Sequence, residues 1–250
     1  MRTIRLEIEY DGTRFAGWQV QPNGIAVQQV MEEALARLLG EPVKLHASGR
    51  TDAGVHAWGM VAAFKTSRDI PLRAFVEGTN RFLPDEIAVQ RAQEVHSGFR
   101  PIADAISKHY RYTIYNASVR SPLRRLYVWH VRETLDVDRM EAAAAYFAGR
   151  HDFAAFRASN CAAKTTVRRI DAVTIVKDGA CLHIDVIGEG FLKNMVRVMA
   201  GTLVDIGKGR FKPEHIQWLL QHPDRKKAGV TAPACGLSLI RVAYNCPDAL

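Results

Sequence analysis

TIRLEIEY, residues 3–10, is where the fold first becomes legible. Ile4, Leu6, Ile8 and Tyr10 alternate with Arg5, Glu7 and Glu9, the period of two that sends successive side chains to opposite faces of a strand. The stretch therefore reads as a half-buried strand. Working outward, Val27, Val30, Met31, Ala34, Leu35 and Leu38 recur at helical spacing, and Gly40 suits the helix C-cap. A short strand around Lys44–Ala47 leads into a glycine-punctuated loop, and Met60–Lys65 returns as a strand. A second helix begins near Pro71 and ends before Pro84, and Ile87–Val95 is strand-like.

Periodicity lapses over Gly98–Ala105, the expected boundary between a domain at 1–104 and a second at 105–250. Lys108–Tyr115 resumes alternation, with Tyr110, Tyr112 and Ile114 on one face. Asp138 and Glu141 are spaced to open the helix that carries Met140–Phe147. Val173–Val186 reads as a hairpin turning at Asp178–Gly179. A markedly apolar helix is expected at Leu192–Ile206, a shorter one at Pro213–Gln221, and a closing strand at Leu237–Tyr244. Strands outnumber helices and hairpins join them, so the expected class is α+β. Each of the two domains should hold a mainly antiparallel sheet with helices packed on it.

Composition bounds the function. The chain has 250 residues, 48% of them hydrophobic and 24% charged, as in an ordinary globular protein. No apolar run approaches the roughly 18 residues of a membrane span. The opening strand leaves no room for a signal peptide. Cys161, Cys181, Cys235 and Cys246 are scattered without a C-x-x-C pair, which argues against zinc or a disulfide framework and for a cytoplasmic protein. The net charge of +8 suits a polyanionic partner, since each phosphate neutralised releases condensed counterions. Clusters at Arg120–Arg124–Arg125, Lys164–Arg168–Arg169, Lys208–Arg210–Lys212 and Arg225–Lys226–Lys227 fit that reading, and fit solvated loops equally well.

The chemistry points to Ala47–Trp58, ASGRTDAGVHAW. Its glycines allow sharp turns and close approach of a ligand. Arg50 and Asp52, two apart, share one side of an extended backbone. Spacing alone is met more readily by a surface turn in which Asp52 caps a backbone amide. Arg197 lies within a helix apolar around most of its circumference, so it should be largely buried and paired.

GRTDAGVHA resembles the signature loop of the tRNA pseudouridine synthase A family. The likeness extends over nearly the whole chain, through Glu9–Gln19, Ser107–Asn116, Asp152–Ala158, Phe191–Gly201 and Cys235–Val242. It implies a cofactor-free isomerase that converts uridine to pseudouridine in the anticodon arm of tRNA, at positions 38–40 of standard tRNA numbering; the nine histidines, spread without metal-ligand spacing, give no sign of a metal. It also implies a homodimer, with RNA held in a basic cleft between the domains. By position in the motifs, Asp52 matches the nucleophile and Arg197 its counter-cation. Tyr110 matches a residue that stacks on the target base and handles a proton, and Arg50 one that holds the nucleotide out of the helix. His56 matches the motif with its role open, a structural hydrogen bond being expected. Lys193 and Asn194 are expected to tolerate exchange.

Two rivals belong to other classes. A non-catalytic RNA-binding module would need the glycine pattern of an RNP1 run, which Lys108–Tyr115 lacks. A metal-dependent nuclease using Asp52, His56 and Asp85 would show chelator sensitivity and strand cleavage, whereas isomerisation leaves the RNA mass unchanged. Gly201–Lys208 has the wrong spacing for a phosphate loop and closes a helix where such a loop opens one.

Overall fold

The computed structural model describes residues 1–22, 24–161 and 163–245; Cys246 lies outside them. In chain order the elements are β1 (Arg2–Tyr10), α1 (Val27–Leu39), β2 (His46–Ala47), β3 (His56–Thr66), α2 (Leu72–Asn80), β4 (Ile87–Val95), β5 (Ala105–Asn116), β6 (Trp129–Val131), α3 (Val137–Ala144), β7 (Gly149–Asp152), β8 (Val167–Asp178), β9 (Cys181–Gly188), α4 (Met195–Gly207), α5 (His215–Gln221) and β10 (Leu237–Tyr244). The class is α+β. Two compact units divide it: Met1–Ile106 with the chain from Leu239, and Ser107–Ser238. No described helix is long and apolar enough to cross a membrane.

In the first unit the strand order is β4-β1-β3-β10, with β2 also paired to β3. β1 is antiparallel to both neighbours, Ile4 facing Phe64 on β3 and Glu94 on β4. Ile4, Leu6, Ile8 and Tyr10 are buried, as their alternation requires. Thr3 and Arg5 on the other face are buried as well, so β1 is covered more fully than its charged residues suggested. The Arg5 guanidinium lies over the Tyr244 ring, 5.6 Å from its centroid, which gives a cation a favourable partner away from water. α1 ends as expected on Gly40, left-handed at φ 67°, whose N–H donates to Ala36 O.

In the second unit the order is β5-β9-β8-β7, and the short β6 runs parallel to β5. Tyr110, Tyr112 and Ile114 share the buried face of β5. On its other face Arg111 grips Asp185 of β9 with two hydrogen bonds of 2.9 and 3.0 Å, and His109 Nε2 lies 2.6 Å from the same carboxylate. Burial pushes the Asp185 carboxyl upward, but these partners outweigh it and hold it below the usual range. Phe147, Phe153 and Phe156 form a buried aromatic cluster with centroids 5.1–6.3 Å apart. Each such ring contributes about 1.5–3 kcal/mol by leaving water.

Several boundaries differ from the expectation for local physical reasons. β6 and β7, three and four residues long, are too short to show a period and were not anticipated. β3 begins at His56, ahead of Met60. The α3 cap is Asp136, whose side chain accepts from Arg139 N; Asp138 sits in the first turn instead. The β8–β9 turn is Gly179–Ala180, one residue later than Asp178–Gly179. Only Gly179 takes a positive φ there (57°), which is the primed turn that has glycine at its first central position. α4 starts at Met195 because Asn194 is left-handed (φ 61°) and cannot continue a helix backwards.

Every residue of α4 except Arg197 is buried. The segment Gly229–Ala232 runs against it: Gly229 N donates to Thr202 Oγ1 (3.0 Å), and Ala232 N to Arg197 O (3.2 Å). A Cβ on Gly201 would stand 1.9 Å from Val230 O. Gly201→Ala must therefore push helix and segment apart. It should cost about 3 kcal/mol, read as a fall in the urea midpoint; an unchanged midpoint would show that the segment moves freely.

Candidate functional site

The expected site residues fall into two groups, one in each unit. In the first unit, residues 51–55 are held by the chain's opening turn. Trp18 N donates to Thr51 O (3.1 Å), Gly54 N to Phe15 O (3.4 Å) and Val55 N to Asp52 O (3.2 Å). The Tyr10 and Thr51 hydroxyls meet at 2.7 Å in a buried contact. Gly54, at φ 77°, is the left-handed third residue that a type II turn from Asp52 to Val55 requires. Asp52 thus opens a tight turn, half-buried, and Arg50 stands exposed two residues before it.

Two glycines make that turn possible. A Cβ on Gly12 would lie 2.0 Å from Val55 O, and one on Gly17 would lie 2.6 Å from Thr51 O. Gly17 is also left-handed, at φ 97°. His56, 5% exposed, fastens the same junction. Its Nδ1 accepts from Gly12 N at 3.1 Å, and Asp11 Oδ1 lies an equal distance away while itself accepting from Thr13 N and Oγ1. His56 therefore ties the first turn to the start of β3.

In the second unit, Tyr110 is 9% exposed and meets Phe191 edge to face, centroids 5.0 Å apart. Arg197 is half-buried, less enclosed than the rest of α4. Its Nε donates to Ala232 O (2.7 Å) and its Nη1 to Asn194 Oδ1 (3.1 Å). Tyr112 OH donates to Pro233 O on the same segment (2.8 Å). Burial raises the Tyr112 phenol far above its ordinary range, and the Cys235 thiol adds to this; Arg197 pulls the other way. Arg197 is thus a cation with its fork fixed at two points.

Sequence reasoning missed the residues that hold these groups. Asn194 was read as exchangeable, yet it is the one described non-glycine residue with positive φ, and its amide orients Arg197. A signal existed: Asn tolerates left-handed backbone better than most residues, and it stands directly before the helix. Gly12 and Gly17 were visible in the sequence, but what they touch was not. Among the described residues no three His, Cys, Asp or Glu side chains gather as metal ligands would.

Comparison with known proteins agrees with the resemblance. A family model described as tRNA pseudouridine synthase matches residues 7–100 and 143–245. A tRNA pseudouridine synthase A of Pelobacter propionicus is 74% identical over 98% of this chain and 100% of its own length. Those of Geotalea uraniireducens and Geobacter sulfurreducens are 62% and 57% identical, each over 98% of this chain and 100% of their own.

The Asn194 geometry separates backbone from side chain. Asn194→Gly keeps the left-handed residue and removes the acceptor, costing about 1 kcal/mol. Asn194→Ala loses the acceptor and strains the backbone as well, for a total of about 2–3 kcal/mol. Chemical denaturation of both variants checks the order; equal losses would mean that the left-handed backbone carries no cost.

Proposed function

The chain belongs to the tRNA pseudouridine synthase family, and from that premise we propose that it isomerises uridine in the anticodon arm of tRNA with Asp52 as nucleophile. The reaction exchanges one bond for another. Uracil N1 leaves ribose C1′, the base turns, C5 joins C1′, and the proton lost from C5 is balanced by one gained at N1. The composition of the RNA is unchanged, so nothing in the atom balance calls for an oxidant, a reductant or a second substrate.

The observation that carries the reading is the clamped turn at Asp52. A carboxylate is already ionised at neutral pH and needs no neighbouring base to become a nucleophile. What it needs is a fixed position, because an attacking atom held in place avoids much of the entropic cost of reaction. The hydrogen bonds around residues 51–55 fix the backbone from which that carboxylate extends. Asp52 forms a covalent adduct with the target nucleotide while the glycosidic bond is broken and remade.

The remaining roles follow from the chemistry of each side chain. Tyr110 presents a ring to the base and a hydroxyl that can carry the C5 proton. Arg197 supplies the positive charge that favours an ionised nucleophile. Arg50, exposed beside the turn, fills the space left when the nucleotide is extruded, offsetting part of an unstacking cost of a few kcal/mol. The working form is a cytoplasmic homodimer that grips tRNA through shape and phosphates.

Asp52→Asn tests the reading directly. Unmodified tRNA is incubated with each protein and pseudouridine is mapped by carbodiimide labelling. The variant should retain fold and tRNA affinity and lose at least about 10⁴-fold in rate. Multiple turnovers by a variant verified as not deamidated would overturn the assignment.

Arg197 offers a graded test. Arg197→Met should lower the single-turnover rate by about 10²–10³-fold, the usual loss of one preorganised electrostatic group. Arg197→Lys keeps the charge and loses the fork, so its rate should fall between. A lysine variant no faster than the methionine variant would show that orientation, not charge, is what Arg197 provides.

A further inference from the structure

The first unit holds a groove of about 710 Å³ whose rim includes Lys44, His46, Arg50, Lys65 and Arg100. None of its lining residues is Asp or Glu. In a chain with 26 acidic residues among 250, a lining of this extent would ordinarily include about two. All five rim residues are exposed.

β2 and β3 pair His46 with Ala63 and Ala47 with Ala62, and Lys44 and Lys65 line the groove just beyond that pairing. Nearby carboxylates are already engaged. Glu32 is turned to Leu45 N (2.9 Å) and Gln28 Nε2 (2.8 Å), and Asp104 serves Arg100 and its backbone amide. Among the described residues no ion pair engages Lys44, Arg50 or Lys65. A bound anion would therefore meet Lys44, Arg50 and Lys65 without an internal carboxylate competing for them.

The floor narrows the kind of anion. Trp18, Phe64 and Phe99 line the groove but are only 2–7% exposed, so they offer no ring face on which a base could stack. The remaining polar groups, among them Gln19 and Ser97, are neutral. Such a surface recognises phosphate without reading sequence. Gly49 and Arg50 belong both to the groove and to the loop that carries Asp52, so a strand engaged at that loop has a direct path into it.

We propose that this groove seats the phosphate backbone of the substrate RNA beside the nucleotide at Asp52, with Lys44, Lys65 and Arg100 contacting phosphates. The inference rests on the reading of the Asp52 loop as the reaction site. It adds a binding surface that the four basic clusters of the sequence do not include.

The test is equilibrium binding of a fluorescently labelled anticodon-arm stem-loop RNA to the full chain across a range of salt. Three proteins are compared: the native chain, the triple variant Lys44→Gln, Lys65→Gln, Arg100→Gln, and a charge-matched control, Arg132→Gln, Arg150→Gln, Lys177→Gln. The control residues are exposed, lie in the second unit and belong to none of the four basic clusters. The groove variant should bind on the order of tenfold more weakly, with the slope of log affinity against log salt flattened by about 3, close to 1 per lost contact. The control should keep the native slope. Equal losses in both variants would reduce the effect to net charge, and an unchanged groove variant would remove the groove from RNA binding; either result overturns the proposal. Single Lys44→Gln and Lys65→Gln variants, each flattening the slope by about 1, serve if the triple variant folds poorly by circular dichroism. Pseudouridine formation by the native chain on the same RNA is scored separately. Native binding with the expected slopes but no product would break the catalytic reading and leave the groove standing.

Discussion

Backbone against backbone, with no room for a Cβ, is the contact on which the first unit depends. Gly12 lies against Val55 and Gly17 against Thr51, so the opening turn and the Asp52 turn form one piece. Hydrogen bonds from Trp18 and Gly54, the Tyr10–Thr51 contact and the His56–Gly12 contact close the junction on all sides. Each net hydrogen bond is worth only about 1 kcal/mol. Their value lies in number and geometry: together they brace the backbone at Asp52. A carboxylate on a free loop would have the same chemistry but would meet a substrate only rarely in a reactive pose.

The second unit solves a similar problem with a helix. α4 is buried along its length, and an apolar, buried helix is a rigid base for a single charged side chain. Arg197 emerges from it with Nε on Ala232 O and Nη1 on Asn194 Oδ1. The close approach at Gly201 is what brings the 229–232 segment near enough for the first of these bonds. Asn194 makes the second possible because its left-handed backbone ends the helix there and turns its amide toward the guanidinium. A backbone held in such a region is a cost that a fold keeps only where something is gained, and here the gain is a fixed cation.

Charge is distributed differently from what residue counting suggests. Many members of the basic clusters are occupied within the protein: Lys208 with Glu133, Arg210 with Asp205, Arg169 with Asp171, and Arg225 with Gly229 O and Thr231. The cations of the groove come from separate stretches of chain, Lys44 before β2, Lys65 on β3 and Arg100 after β4. A polyanion meets the sum of local fields at a surface, so converging charges matter more than charges adjacent in sequence.

Much of this was legible in the amino-acid sequence. Alternation in β1 and β5, the Gly40 cap and the apolar run of α4 are local patterns, set by strand and helix periods and by backbone sterics, and local patterns survive without knowledge of the fold. The turn at Asp52 was legible for the same reason, since a tight turn is written in its own glycines; only the family resemblance singled out Asp52 within it as the candidate nucleophile. The short strands β6 and β7 left no trace, because three or four residues cannot display a period and their pairing is decided by a partner strand. Asn194 looked exchangeable because its importance lies in Arg197, three residues on, and in an angle that only a folded helix end imposes. The groove was illegible altogether: Lys44, Lys65 and Arg100 are far apart along the chain, and only the register of β2 on β3 and the path of residues 97–102 bring them to one rim. Sequence determined which elements form and which side chains could react; tertiary structure decided which of them are held still and which charges face one another, because those properties belong to distances between residues that the chain order does not contain.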